Sequence, residues 1–179
     1  YKLKNLGFCN KTLDWLSSYL SDRSQQVCIG DYRSSSYSVL SGVPQGSHCG
    51  PILFLLFIND LSTRFRYSNF LFYADDLKLF KTIQSFNDAL ELQLELDTLH
   101  DWTDNNLLSL NVNKCYVISF SNINVVTDFD YKLGDSFISR VYEVKDLGVL
   151  FDCRLTFKNH YNFIFNKAIR ILGFVWRHC

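Results

Sequence analysis

The sequence predicts an α+β fold, with helices and strands mixed along one chain and no regular βαβ alternation. Three observations predict it. Apolar residues recur at helical spacing in several long stretches. Short runs rich in aromatic and β-branched residues lie between them, and Gly, Asp and Asn residues punctuate those runs.

The elements follow in chain order. Asn10 to Arg23 carries Leu13, Leu16, Tyr19 and Leu20 at helical spacing, with Asn10 as the expected N-cap. Gln25 to Ile29 and Ser36 to Leu40 read as two strands joined through Gly30-Asp31. Ser41 to Ser47 holds two glycines and a proline, which makes it a loop. Cys49 to Leu61 is apolar on nearly all sides and is expected as a buried helix, with Pro51 in its first turn, where a missing N–H costs little. Asn69 to Tyr73 and Leu77 to Phe80 flank Ala74-Asp75-Asp76 and predict a β-hairpin with the two acids at its tip.

Ser85 to Asn106 is the longest amphipathic stretch, with Leu92, Leu96 and Leu99 on one side. Its acids, Asp88, Glu91, Glu95, Asp97, Asp101 and Asp104, have no base among them. Lys114 to Phe120, Tyr131 to Leu133 and Val144 to Phe151 read as strands, and Phe157 to Trp176 as a closing helix.

Composition bounds the class. The 179 residues are 47% hydrophobic and 20% charged, enough apolar material for a core and too little polar bias for disorder. Lys plus Arg equals Asp plus Glu at 18 each, so overall charge argues for no particular partner. The balance is local instead. Between Cys153 and Cys179 stand five bases (Arg154, Lys158, Lys167, Arg170, Arg177) and no acid. A solvated helical face explains them, and so does the edge of a phosphate-contacting surface.

The six cysteines show no metal-binding spacing and are expected as buried thiols in a reducing compartment. No signal peptide opens the chain, and the longest apolar run, Ile52 to Ile58, is too short to span a bilayer, which needs about 20 residues. The expectation is an intracellular protein that is not secreted and has no membrane partner. The chain contains no Met and opens on Tyr1, so it is expected to be a piece of a longer reading frame.

Three places could carry chemistry. Asp75 and Asp76 are adjacent, and an Asp pair in a turn is most often only a turn. Held by a packed hairpin, however, they repel unless a divalent cation compensates them, and hard oxygen donors of this kind suit Mg²⁺. The Pro44-Gln45-Gly46 loop precedes a helix N-terminus and could approach a phosphate or base closely, although Gly-Pro loops are common. Lys114, after Asn111-Val112-Asn113, reads as a surface lysine or as a group that neutralises charge near a leaving group.

In this order the elements resemble the reverse transcriptases of non-LTR retrotransposons, nearest the jockey-like insect group. Ser41-Gly42-Val43-Pro44-Gln45-Gly46-Ser47 with the helix through Asn59-Asp60-Leu61 is similar to the family's motif B. Tyr73-Ala74-Asp75-Asp76 is similar to motif C, Asn111 to Lys114 to the end of motif D, and Asp146-Leu147-Gly148-Val149 to the primer grip of motif E. Leu172-Gly173-Phe174 resembles the start of the thumb.

The resemblance implies a palm, an antiparallel sheet backed by helices, over residues 1–152, and the start of a thumb or connection helix over 153–179, with the fingers largely missing. It implies RNA-templated DNA synthesis by two-metal phosphoryl transfer, with two Mg²⁺ ions in the complete enzyme, an RNA template, a DNA primer and deoxynucleoside triphosphates. Asp75 and Asp76 would be catalytic metal ligands and Lys114 the candidate acid at the leaving group. Pro44, Gln45 and Gly46 would meet the nucleotide or template, Tyr73 the primer terminus, and Leu147 and Gly148 the primer backbone. Location would be nuclear for an active element.

Two departures stand out. The family's motif A aspartate has no counterpart: the only acids before motif B are Asp14, Asp22 and Asp31, none on a strand in the expected setting. The upstream part of the same polypeptide would have to supply it. Cys49 also stands where these elements commonly have Leu. The rival readings are a degenerate or captured copy without catalysis, and a related intron-encoded reverse transcriptase.

Overall fold

The computed structural model describes residues 1–121 and 129–178. The chain forms two compact units. The first comprises Tyr1–Arg66 with Phe70–Leu79, and the second Tyr67–Asn69 with Phe80–Cys179.

In the first unit, α1 (Lys2–Asn5) packs on α3 (Cys49–Ile58). Lys2 donates from Nζ to the Phe57 carbonyl and to Asp60 Oδ1, both at 2.8 Å, placing a cation at the negative end of α3. α2 (Asn10–Leu20) is shorter than expected, and its N-cap is Cys9, with Asn10 already helical. The chain then runs through a long interrupted hairpin. β1 (Arg23–Gln25) pairs antiparallel with β4 (Tyr37–Val39), and β2 (Cys28–Ile29) with β3 (Tyr32–Arg33). The turn is at Gly30-Asp31, as expected. Between the two ladders Val27 and Ser34 bond to each other, N–H to side chain and N–H to carbonyl, both at 3.0 Å.

α3 ends at Ile58 and passes into a 3₁₀ turn, Asn59–Thr63. It is less buried than its composition suggests. α1 and the 3₁₀ turn cover one side, leaving Ile52 and Leu55 exposed. β5 (Asn69–Tyr73) and β6 (Asp76–Phe80) form the expected hairpin. Phe70 and Phe72 turn to its covered face, where Phe70 meets Phe65 at 5.4 Å between ring centroids. Leu71 and Tyr73 face outward.

In the second unit α4 (Phe86–Asn105) begins on a capping box, Ser85 Oγ accepting from the Asp88 N–H while the Asp88 carboxylate accepts from the Ser85 N–H. Ala89, Leu99 and Trp102 are buried along it, and so, unexpectedly, is Glu95. Gln93 docks the helix on β8 (Lys132–Leu133), donating to the Lys132 carbonyl at 3.0 Å and accepting from its N–H at 2.9 Å.

Several expectations are corrected here. Lys114 does not open a strand: it ends a 3₁₀ turn, Val112–Lys114, and the strand β7 is Tyr116–Ile118. β8 pairs with β9 (Ser136–Phe137). β7 pairs with β10 (Ser139–Val141) in parallel, the β8–β9 hairpin lying in the chain between them. Val144 to Phe151 is two strands, β11 (Glu143–Asp146) and β12 (Val149–Asp152), because Leu147 and Gly148 take positive φ and reverse the chain.

α5 (Lys158–His178) starts after Asp152, which accepts from the N–H groups of Arg154, Thr156 and Phe157. Among the described residues the strands form six two-stranded pieces, where the resemblance implied one antiparallel sheet. The described cysteines are not buried either. Cys9 and Cys28 are exposed and Cys49, Cys115 and Cys153 half-buried, all on short strands, turns or helix starts with little cover, while Cys179 lies outside the described residues.

Candidate active site

Two-residue hairpin turns favour positive φ, which lets a right-twisted ladder close without splaying. Ala74 supplies it at +53°, a conformation rare for a residue with a Cβ. The Ala74-Asp75 turn puts Asp75 at the tip, and Asp76 opens β6. Both carboxylates are exposed, and Tyr73, which ends β5, is 63% exposed beside them. The expected placement of the pair at a hairpin tip is therefore found, shifted by one residue for Asp76.

The Ser41 to Ser47 loop belongs to the same unit. Gly42 and Gly46 take φ of +75° and +78°, which only glycine adopts freely. Its entry is held by Arg23, whose Nη2 donates to the Gly42 carbonyl at 2.6 Å and the Ser41 carbonyl at 3.1 Å. Nε of Arg23 donates to the Leu20 carbonyl at 2.9 Å, tying the loop to the end of α2.

At the exit, Ser47 Oγ donates to the Pro44 carbonyl at 2.7 Å and accepts from the Gly50 N–H at 3.0 Å. A Cβ on Gly50 would stand 3.1 Å from Ser47 Oγ and 3.3 Å from Val43 Cγ2, so the first turn of α3 fits closely under the loop. Pro44 is half-buried in this frame, while Gln45 and Gly46 are exposed.

Arg23 was not among the residues the sequence singled out. An arginine after a helix reads as surface, and nothing local shows that its partners lie 18 and 19 residues on.

The remaining candidates lie in the other unit. Lys114 is exposed, its N–H bonded to the Asn111 carbonyl at 2.9 Å. Leu147 (φ +44°) and Gly148 (φ +89°) form the tip of the β11–β12 hairpin, with Leu147 exposed. Among the described residues no three His, Cys, Asp or Glu side chains gather to hold a metal ion. Asp75 and Asp76 are hard oxygen donors suited to Mg²⁺, and they supply two carboxylates of the larger set that a paired-ion site takes. Among the described residues no helix is long and apolar enough to cross a membrane.

Comparison with known proteins adds an independent line. The family described as reverse transcriptase (RNA-dependent DNA polymerase) matches residues 1–175. The chain is 30% identical over 168 residues to the RNA-directed DNA polymerase from mobile element jockey of Drosophila melanogaster, covering 89% of this chain and 18% of that protein. It is likewise 30% identical over 169 residues to the jockey polymerase of Drosophila funebris, with the same coverage. To the probable RNA-directed DNA polymerase from transposon BS of Drosophila melanogaster it is 32% identical over 157 residues, 81% of this chain and 17% of that one. The chain thus spans less than a fifth of the length of these relatives. No solved structure matches it.

Proposed function

This chain belongs to the reverse transcriptase family, and from that premise we propose that it carries the nucleotidyl-transfer centre of an RNA-directed DNA polymerase of a jockey-like, non-LTR retrotransposon. The observation that carries the reading is the Tyr73-Ala74-Asp75-Asp76 hairpin turn, with both acids exposed, in the same compact unit as the glycine-hinged Pro44-Gln45-Gly46 loop. Exposed, adjacent carboxylates on a short ladder are available to a ligand and repel each other in its absence.

Asp75 and Asp76 would hold Mg²⁺, which when bound supplies charge neutralisation at the triphosphate and activation of the primer hydroxyl. Gln45 and Gly46 are free to contact the incoming nucleotide or the template, and Pro44 stiffens the loop that presents them. The open ring of Tyr73 would pack beside the primer terminus. Lys114, exposed and cationic, would serve the departing pyrophosphate, and the Leu147-Gly148 tip would position the primer backbone. The substrates on this reading are an RNA template, a DNA primer and deoxynucleoside triphosphates.

Lys114 has its own test within this reading. In an active polymerase Lys114→Ala should slow nucleotide addition and leave primer–template binding nearly unchanged, and an equal loss of both would mark it as a template-contacting or structural base.

A second proposal concerns the chain taken alone. With two gathered carboxylates and no motif A aspartate in the sequence, it should not extend a primer by itself. The test is primer extension on an RNA template with Mg²⁺. The isolated chain is compared with a chimera in which it replaces the matching 168 residues of the jockey polymerase. The expected result is extension by the chimera, its loss in Asp75→Ala, and none by the isolated chain. Extension that survives Asp75→Ala in the chimera would overturn the metal-ligand assignment. Extension by the isolated chain, abolished by Asp75→Ala, would show that the two acids suffice.

A further inference from the structure

A carboxylate removed from water is costly unless its lone pairs are satisfied, so a buried Glu points to a specific use. Glu95 is 2% exposed. Its Oε1 accepts from the backbone N–H of Tyr67, 28 residues earlier in the chain. The carbonyl of the same residue accepts from Lys81 Nζ at 3.1 Å. Tyr67 is thus gripped on both its backbone groups, by an anion and by a cation. Lys81 is itself held by Glu91 at 2.6 Å and lies 3.9 Å from Asp88, the capping-box residue. Its bond to Glu91 pushes the Lys81 ammonium above the usual lysine range.

Position gives this cluster its meaning. Tyr67 stands two residues before β5, and Lys81 directly follows β6. The two grips therefore close the open end of the hairpin whose other end carries Asp75 and Asp76. An isolated two-stranded ladder is marginal in water. Fraying at its open end would permit a one-residue slip, which moves every side chain to the opposite face, that of Asp76 included. The five residues of β6 begin at Asp76 and end just before Lys81, so the cluster acts on the acids through the ladder.

We propose that Lys81 and Glu95 are positioning residues that fix the register of the β5–β6 hairpin and so the placement of Asp75 and Asp76. The proposal rests on the reading of that turn as a metal-holding site.

The test uses the chain itself, with amide hydrogen exchange resolved along the hairpin and α5 and Mn²⁺ as the probe of the turn. Glu95→Leu and Lys81→Met should each speed exchange in β5 and β6 by about tenfold while leaving α5 unchanged. Each should also raise the Mn²⁺ concentration that half-broadens the Asp75 and Asp76 amide signals by about threefold or more. Glu95→Gln keeps an acceptor oxygen for the Tyr67 N–H and should restore most of both. Unchanged hairpin exchange in both variants would overturn the proposal, and so would a rise shared equally by α5, which marks global loss of stability. Absence of Mn²⁺ broadening in the unsubstituted chain would overturn the metal-site reading alone, because the exchange pattern judges the register clamp without it.

Discussion

Gly134 takes φ of +57° between β8 and β9, and a Cβ built there would stand 2.7 Å from Nε2 of His100. Gly148 also has positive φ, at +89°, but open space around it. The pair separates two costs. Gly148→Ala meets only backbone strain and should destabilise by about 1 kcal/mol. Gly134→Ala adds a clash with a ring on α4 and should cost about 2–3 kcal/mol. Urea unfolding of the two variants checks the difference, and equal losses would mean that His100 moves aside freely. Single residues were also where the sequence was hardest to read. Glu95 sits one helical turn before Leu99, on the apolar side of α4, and an acid inside an apolar stripe was a signal in plain view. Yet Glu91 and Asp97 on either side of it are not buried, so local composition alone does not single Glu95 out.

Elements with strong local signals were legible. Leu92, Leu96 and Leu99 at helical spacing within Ser85 to Asn106 marked α4 nearly to its ends, while its Ser85–Asp88 capping box emerged only in the structure. Ser85→Ala removes the acceptor for the Asp88 N–H and should lower stability by about 1 kcal/mol, with fraying visible in the exchange of the first turn. The hairpin around Ala74-Asp75 was legible from its flanking aromatic runs. The β11–β12 hairpin was not, because Leu147 stands at the turn itself, where a polar residue is usual. It carries the positive φ that a β-turn normally gives to Gly, Asn or Asp. The start of α5 offers a pH test. Backbone N–H bonds from Thr156 and Phe157, with the Thr156 hydroxyl, hold the Asp152 carboxyl below the usual aspartate range. Its folded-state value being the lower one, its stabilising contribution is complete above about pH 4 and is lost as pH falls through that lower value. Helical circular dichroism followed from pH 7 to pH 2 should show this acid-range loss in the unsubstituted chain. Asp152→Ala should start with a frayed α5 and lack that component.

Across the whole molecule, much apolar surface is open. Leu71 and Tyr73 on the hairpin, Ile52 and Leu55 on α3, and Phe165, Phe174 and Trp176 on α5 are all exposed, Trp176 to 82%. Open apolar surface of this extent drives association. The chain alone should scatter light increasingly with concentration and bind an apolar dye, and a monodisperse, dye-negative chain would contradict this. No local pattern in the sequence foretold it, because burial depends on which elements meet and periodicity records only which faces are apolar. Time adds a last consequence of the grip on Tyr67. The β5–β6 turn closes over two residues, and hairpins form in about 1–10 μs. Contacts 14 and 28 residues apart close more slowly, at a greater entropic cost. The ladder should therefore precede the clamp, so Glu95→Leu should leave the folding arm of a chevron nearly unmoved and raise the unfolding arm. Glu95 would then govern how long the acid-bearing hairpin lasts, while its speed of formation is written in the turn itself.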